Sequence, residues 1–107
     1  MQTVDVRKLW TRPEKLGETV VDIAAGRLSY SPNEPVLVSR LDSPRGSFFV
    51  LDGHHRLVEH IAAGATTIRI EVSPYIPRIE RTGGAYRAWI NDKVHIVSAL
   101  LALSEPA

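Results

Sequence analysis

Residues 48–57 read Phe-Phe-Val-Leu-Asp-Gly-His-His-Arg-Leu, and this stretch decides the predicted fold. Its first four side chains are aromatic, aliphatic or β-branched, which is typical of a buried strand. Gly53 then interrupts the strand, and from His54 to Ala63 apolar residues recur at helical spacing until Gly64 ends the pattern. The stretch therefore predicts a strand, a glycine turn and a helix in direct succession.

Segments on both sides of this stretch predict further strands and helices. The predicted strands are a short edge strand at Val4–Leu9, a hairpin of Pro35–Leu41 and Ser47–Leu51, and a half-buried strand in which Ile68, Ile70 and Val72 alternate with polar residues. The other predicted helices are Glu14–Ala25, which follows Pro13 and ends at Gly26, and Asn91–Leu103, with Asn91 as its cap. We therefore predict one α+β domain over residues 1–107, with a mixed β-sheet, helices packed on it, and a C-terminal helix after a loop at 74–84.

The composition limits the classes of protein to which the chain can belong. With 107 residues, of which 44% are hydrophobic and 23% charged, it has the size and balance of one globular domain. A formal net charge of +1 gives no strongly basic surface, so DNA is an open partner but not a favoured one. The chain has no cysteine, which excludes disulfides, thiolate catalysis and cysteine-ligated zinc. The sequence has neither a signal-peptide pattern nor an apolar run of about 20 residues, so we expect a cytoplasmic protein without a membrane partner.

The turn at residues 52–56 has the chemistry of a phosphate site. The first N–H groups of a helix have no partner within the helix, and the helix end carries about half a positive charge that attracts anions. Gly53 has no Cβ to keep a phosphate from the main chain, and Arg56 offers two parallel donors. His54 and His55 add further donors. The alternative is a simple turn in which Asp52 caps the helix and the histidines are solvated.

The run from Val50 to Val72 resembles the ParB/sulfiredoxin superfamily. The shared pattern is a strand, a Gly-x-x-Arg turn, a helix, a glycine and a second strand, and the elements upstream follow the same order from Val4. The resemblance implies that fold, and it implies nucleotide phosphates bound at the turn. Sulfiredoxins carry Gly-Cys-His-Arg there, whereas His54 replaces the essential cysteine in this chain, so repair of peroxiredoxins is excluded.

Different branches of the superfamily imply different chemistry for the turn. ParB partition proteins carry Gly-Glu-Arg-Arg and hold CTP phosphates, but a helix-turn-helix domain follows in those proteins. The run Asp-Gly-His-His-Arg is most similar to the ADP-dependent free serine kinases, in which an upstream glutamate acts as base, and Glu34 is the nearest match to it. Lys15 and Arg12 resemble the basic position that sulfiredoxins direct at phosphate. The implied cofactors are ATP, ADP or CTP, with magnesium.

The candidate site residues follow from the turn and the resemblance together. The predicted ligands of phosphate are Gly53, His54, His55, Arg56 and Lys15. The predicted catalytic residues are Asp52, His55 and Glu34. Asp52 is also the predicted metal ligand, because magnesium is held mainly by phosphate oxygens and one carboxylate. The plainer interpretations are a capping role for Asp52 and solvated surface charges at Glu34 and Lys15.

Two further pairs of residues allow both functional and structural interpretations. His55 and Glu59 lie four residues apart on one helix face, which suits a metal, but no third ligand has a clear spacing. Tyr86 and Trp89 precede the last helix, where they stack on a base or, more often for such residues, pack in a core or dimer.

Three functions compete on this sequence. The leading one is a nucleotide-dependent phosphotransferase or phosphohydrolase that uses the Gly53–Arg56 turn. The second is a noncatalytic ParB-like module that binds DNA or a partner protein, with a homodimer favoured by the broad apolar face of the last helix. The third is a metal-dependent nuclease using Asp52 and His55, which is disfavoured because the turn supplies few carboxylates for two metals.

Overall fold

The structure, a computed structural model, describes residues 2–26, 34–41, 45–73 and 92–104. Within these ranges the chain forms one mixed six-stranded sheet and three helices, which confirms the predicted α+β class. The strands are β1 (Gln2–Asp5), β2 (Leu9–Thr11), β3 (Val36–Arg40), β4 (Phe48–Asp52), β5 (Thr67–Val72) and β6 (Val94–His95). The helices are α1 (Pro13–Ala24), α2 (His54–Ala62) and α3 (Ile96–Ser104), and a 3-10 turn at Val6–Lys8 joins β1 to β2.

The sheet curls because its first two strands are far apart in strand order. The order is β1-β5-β3-β4-β2-β6, so three strands lie between β1 and β2. Only the three residues of the 3-10 turn connect those two strands, so the sheet bends round for the chain to reach both places. The β1–β5, β3–β4 and β2–β6 pairs are antiparallel, whereas the β5–β3 and β4–β2 pairs are parallel.

Elements with strong local patterns form where the sequence predicts them. The hairpin is present, with Arg40 opposite Phe48 in the antiparallel β3–β4 pair. In β5, Ile68 and Ile70 are buried and alternate with exposed residues. Helix α1 begins at Pro13 and α2 begins at His54, both within a residue of the predicted start.

The core forms between the sheet and the three helices. Phe48 and Phe49 are both buried, as predicted, and burial of each such side chain contributes about 1.5–3 kcal/mol. The buried apolar cluster consists of Val6, Leu9, Leu16, Val36, Val38, Phe48, Val50, Leu57, Val58, Ile68, Ile70 and Ile96. These residues come from all parts of the described chain, so the sheet and the helices hold one another in place.

Two predicted elements are wrong in their extent. The predicted strand Val4–Leu9 is divided, because the Asp5 carboxylate accepts the N–H of Arg7 at 2.8 Å and caps the 3-10 turn. The last helix begins at Ile96 rather than at Asn91, because Val94 and His95 pair with β2 as a sixth strand. Val94, predicted on the apolar face of that helix, therefore lies in the sheet.

Some predicted features fall outside the described residues. These are the loop at 74–84 and the residues Tyr86, Trp89 and Asn91. Of the helices that the structure describes, none is long and apolar enough to cross a membrane.

Candidate functional site

The candidate site lies where two neighbouring parallel strands end. β2 and β4 pair in parallel, with Trp10 opposite Phe49, so both strands end at the same edge of the sheet. β2 is followed almost at once by α1, and β4 is followed by α2 after Gly53 alone. Ligands of open parallel sheets bind at this carboxyl edge, where helices begin. The topology therefore brings two helix beginnings together.

Neither helix beginning is capped by a side chain. The N-cap residue of α1 is Arg12 and that of α2 is Gly53, and neither makes a side-chain capping hydrogen bond. The interpretation of Asp52 as the helix cap is therefore wrong, because the cap position belongs to Gly53. Main-chain N–H groups at an uncapped helix beginning retain their capacity to donate to an anion.

Gly53 makes the tight passage from β4 to α2. Its φ is 95°, in the left-handed region that side chains with a Cβ disfavour. A Cβ at this position would lie 3.3 Å from Cα of Val36. The turn therefore needs glycine at this position for two reasons, its left-handed conformation and its close approach to β3.

The buried side chain of His54 connects the beginning of α2 to the end of β2, just before α1 begins. It is only 5% exposed, and its Nε2 lies 2.7 Å from Oγ1 of Thr11, the last residue of β2. Burial, followed by the charge of Lys15, lowers the pKa of His54 from 6.5 to about 4, although Asp52 opposes the shift. His54 is therefore neutral at physiological pH and acts there as a buried hydrogen-bonding group. We call Thr11, Arg12, Lys15, Asp52 and His54 the helix-start cluster.

His55 turns away from this cluster towards the last turn of α1. Its Nε2 lies 3.5 Å from Oδ2 of Asp22. No sequence pattern connects these two residues, because Asp22 looks like an ordinary polar residue of an amphipathic helix. The described residues contain no group of three or more potential metal ligands, so no third ligand is seen beside His55 and Glu59 there.

The Arg56 side chain leaves α2 in a different direction from His54 and His55, and it lines a separate pocket. The residue is 4% exposed, and its Nη2 lies 3.9 Å from Oε2 of Glu34, so the structure brings these two predicted residues together. The pocket has a volume of about 320 Å³ and is lined by Thr3, Glu34, Arg56, His60, Thr67, Ile68 and Arg69. We call it the Arg56 pocket.

Sequence patterns did not predict several residues of the Arg56 pocket as site residues. Thr3, His60 and Arg69 come from β1, α2 and β5, and only the fold brings them together. One signal was present, because the alternation of β5 places Thr67 and Arg69 on the polar face of that strand.

No model of a protein family matches the chain. No curated protein matches it at a significant level. The proposed function therefore rests on the two sites themselves.

Proposed function

We propose that the chain binds the phosphates of a nucleotide at the helix-start cluster and transfers or hydrolyses a phosphoryl group there. One observation carries the proposal: α1 and α2 both begin, without side-chain caps, at the ends of two paired parallel strands. Each beginning offers main-chain donors and about half a positive charge to an anion. A second helix beginning adds to the attraction that a single one supplies.

The side chains of the cluster support the same choice of ligand. Lys15 and Arg12 both act to lower the pKa of His54, so their charges lie close to the beginning of α2. Asp52 is the single carboxylate of the cluster, which leaves a positive balance. Lysine and arginine are the side chains that proteins use for phosphate.

Magnesium fits this arrangement through Asp52. That residue is exposed at the end of β4, directly before the turn. Magnesium bound with a nucleotide usually takes one or two carboxylates and oxygens of the phosphates. When bound there, the ion would neutralise charge on the transferred group. ATP, ADP and CTP share these phosphates, so the cluster accommodates all three in this proposal.

The catalytic step in this proposal rests on the remaining predicted residues. Asp52 is the candidate acceptor in the cluster for the proton of an attacking hydroxyl or water. The catalytic assignment of Glu34 stays a prediction, because its exposed carboxylate faces Arg56 in the separate pocket. His55 is held by Asp22 and has the candidate role of positioning α2 against α1. The assignment of Arg56 to phosphate stays a prediction, because its guanidinium lies in the Arg56 pocket.

A melting experiment tests nucleotide binding. Wild type is heated with ATP, ADP, CTP or GTP and magnesium, and a nucleotide at 100 times its dissociation constant adds about 2.7 kcal/mol of stability. For a domain of this size, that corresponds to roughly 10 °C. Lys15→Gln should lose most of the shift, whereas the control Lys8→Gln, in the exposed 3-10 turn, should retain it. No shift with any nucleotide would contradict the proposal.

Product analysis then tests the catalytic step. Wild type is incubated with the nucleotide that stabilises it, and released phosphate is measured. Asp52→Asn should bind the nucleotide but release phosphate at least tenfold more slowly. Binding without any turnover in wild type would leave a nucleotide-binding module and remove the enzymatic part of the proposal.

A second candidate function, self-association, is favoured by an apolar groove between the helices. The groove has a volume of about 330 Å³ and is lined by Val20, Val58, Ile61, Ala62, Val97, Leu100, Leu101 and Leu103. Leu101 is 61% exposed on α3, which is unusual for a large apolar side chain beside other apolar surface. This surface is the place where a noncatalytic module would meet a second copy.

Sedimentation measures this self-association directly. We expect wild type to form dimers as its concentration rises, because the groove then loses contact with water. Leu101→Glu should give monomers, whereas Val21→Glu, an exposed apolar position outside the groove lining, should dimerise like wild type. A wild type that stays monomeric at the highest concentration would remove this candidate.

A further inference from the structure

We propose that Ser98 and His95 form a nucleophile and base that accept the acyl group of an activated carboxylic ester. The pair lies where β6 passes directly into α3, and it shares no residue with the helix-start cluster or with the lining of the Arg56 pocket. His95 is half-buried, whereas Ser98 is exposed and within reach of a ligand. The inference goes beyond the proposed function and does not depend on it.

The imidazole of His95 is oriented by two neighbours. His95 lies opposite Trp10 in the β2–β6 ladder, and the two rings meet edge to face with their centroids 5.4 Å apart. Nε2 of His95 contacts the main-chain oxygen of Arg7, in the 3-10 turn. A carbonyl oxygen only accepts hydrogen bonds, so Nε2 carries a proton and donates it. In the neutral imidazole the lone pair is therefore on Nδ1.

The hydroxyl group of Ser98 lies beside this second nitrogen. Its Oγ is 3.4 Å from Nδ1 of His95, and Nδ1 is the acceptor of the contact. A nucleophile is activated by a base within reach, which a third group orients, at distances often longer than about 3.2 Å before substrate binds. Ser98, His95 and the carbonyl group of Arg7 have these three roles in order.

The beginning of α3 suits the charge that forms during acyl transfer. Ser98 is the third residue of α3, and the first N–H groups of a helix have no partner within the helix. Helix side chains point back towards the helix beginning, which carries a partial positive charge. Main-chain donors in such a place stabilise the oxyanion of a tetrahedral intermediate. Because Ser98 is exposed and water weakens this stabilisation, the ester needs a good leaving group.

The reaction conserves its atoms and protons in two steps. Oγ of Ser98 bonds to the carbonyl carbon of the ester, while Nδ1 of His95 takes the hydroxyl proton. The bond from that carbon to the leaving oxygen then breaks, the alcohol or phenol departs with the proton, and the acyl group stays on Ser98. Water next attacks the acyl group, with His95 again as base, and releases the carboxylic acid and free Ser98.

Acetylation by 4-nitrophenyl acetate tests the nucleophile. Samples are quenched in acid, and acetyl groups are located by mass spectrometry while released 4-nitrophenol is measured. Wild type should carry an acetyl ester on Ser98 that hydroxylamine removes, and it should release 4-nitrophenol faster than Ser98→Ala. Acetylated lysines resist hydroxylamine and serve as the internal control. No acetyl group on Ser98, together with equal release by the two proteins, would overturn the proposal.

A thiol at the same position tests the base. The chain has no cysteine, so Ser98→Cys carries a single thiol, and its rate of reaction with iodoacetamide reports how well a neighbour removes the proton. Adding His95→Gln should slow that reaction roughly tenfold or more. The control is Val21→Cys, at a position 60% exposed on α1, where adding His95→Gln should change nothing.

Two results with these thiols would overturn the proposal. One is an equal rate for Ser98→Cys with and without His95, which would leave a hydrogen bond that only supports the beginning of α3. The other needs no change at His95: with both single thiols in otherwise wild-type chains, Ser98→Cys should react several times faster than Val21→Cys. Equal rates there would show that position 98 has no activating neighbour.

Lys15→Gln separates this inference from the proposed function. The variant should lose the stabilisation by nucleotide and yet become acetylated on Ser98 like wild type. If no nucleotide binds and Ser98 is acetylated as described, the proposed function fails and the nucleophile stands. If a nucleotide binds and Ser98 behaves like any exposed serine, the proposed function stands and this inference is overturned.

Discussion

The two sides of the first turn of α2 present positive charge in different ways. On the side of the helix-start cluster, the donors are main-chain N–H groups of two helices, with Lys15 and Arg12 nearby and a neutral His54 beneath them. In the Arg56 pocket, the donors are guanidinium groups, one of them deeply buried. Main-chain donors are fixed by the fold, whereas guanidinium groups depend on their own side chains. The two sides therefore differ in whether the fold or a side chain sets the position of the donors.

The largest effect should come from Gly53, because both sides depend on its turn. Gly53→Ala introduces a Cβ in a left-handed conformation and places it against Val36, which should reduce the free energy of unfolding by about 2–4 kcal/mol. The variant should also weaken nucleotide binding at the helix-start cluster. The measurement is denaturation in urea.

Gly17 provides the matched control for this variant. It lies inside α1, and a Cβ there meets nothing within 4 Å. Gly17→Ala should therefore increase the stability by up to about 1 kcal/mol. Equal effects of the two variants would show that the turn is not strained in the way described.

Protonation of His54 should reduce the free energy of unfolding by about 2 kcal/mol. This effect concerns the helix-start cluster alone. The folded state lowers its pKa from 6.5 to about 4, so the unfolded chain binds a proton more readily. Stability is therefore complete above pH 6.5 and is lost as the pH falls towards 4, with a loss of about 2 kcal/mol by pH 5. His54→Gln should lack this part of the pH dependence. Parallel pH profiles for the two proteins would contradict the assignment.

The smallest effect is expected from Glu34, on the other side of the turn. Glu34→Gln removes the carboxylate that faces Arg56, but the pair is long and the Glu34 side chain is exposed. The free energy of unfolding should change by less than about 1 kcal/mol. A larger loss of stability in thermal or urea denaturation would mean that Glu34 holds Arg56 in place. The Arg56–Glu34 contact would then be a structural ion pair.

The part of the fold set by local patterns was predictable from the sequence. The β3–β4 hairpin, the alternation of β5 and the start of α1 at Pro13 each depend on neighbouring residues. The β6 strand was not predictable, because Val94 and His95 become a strand only through their pairing with Trp10 and Thr11. Hydrophobic spacing alone extends the last helix across them.

The candidate site was predictable in its location but not in its arrangement. The run from His54 to Arg56 suggested three donors for one ligand. Successive residues of a helix point about 100° apart, so His54 meets Thr11, His55 meets Asp22 and Arg56 enters a separate pocket. The second helix beginning at Arg12 and the contribution of Arg69 required the strand order, which no local pattern contains.

The curl of the sheet has a consequence for how the chain reaches its native state. β2 lies between β4 and β6, so a strand near the start of the sequence gains its second neighbour only from Val94 and His95, near the end of the sequence. Pairings between distant segments slow folding, because a long loop closes before any contact forms. We expect one cooperative transition in which the N-terminal strands and the final helix become protected from hydrogen exchange together. A nascent chain on the ribosome would then hold β2 with one edge unpaired until synthesis has passed His95.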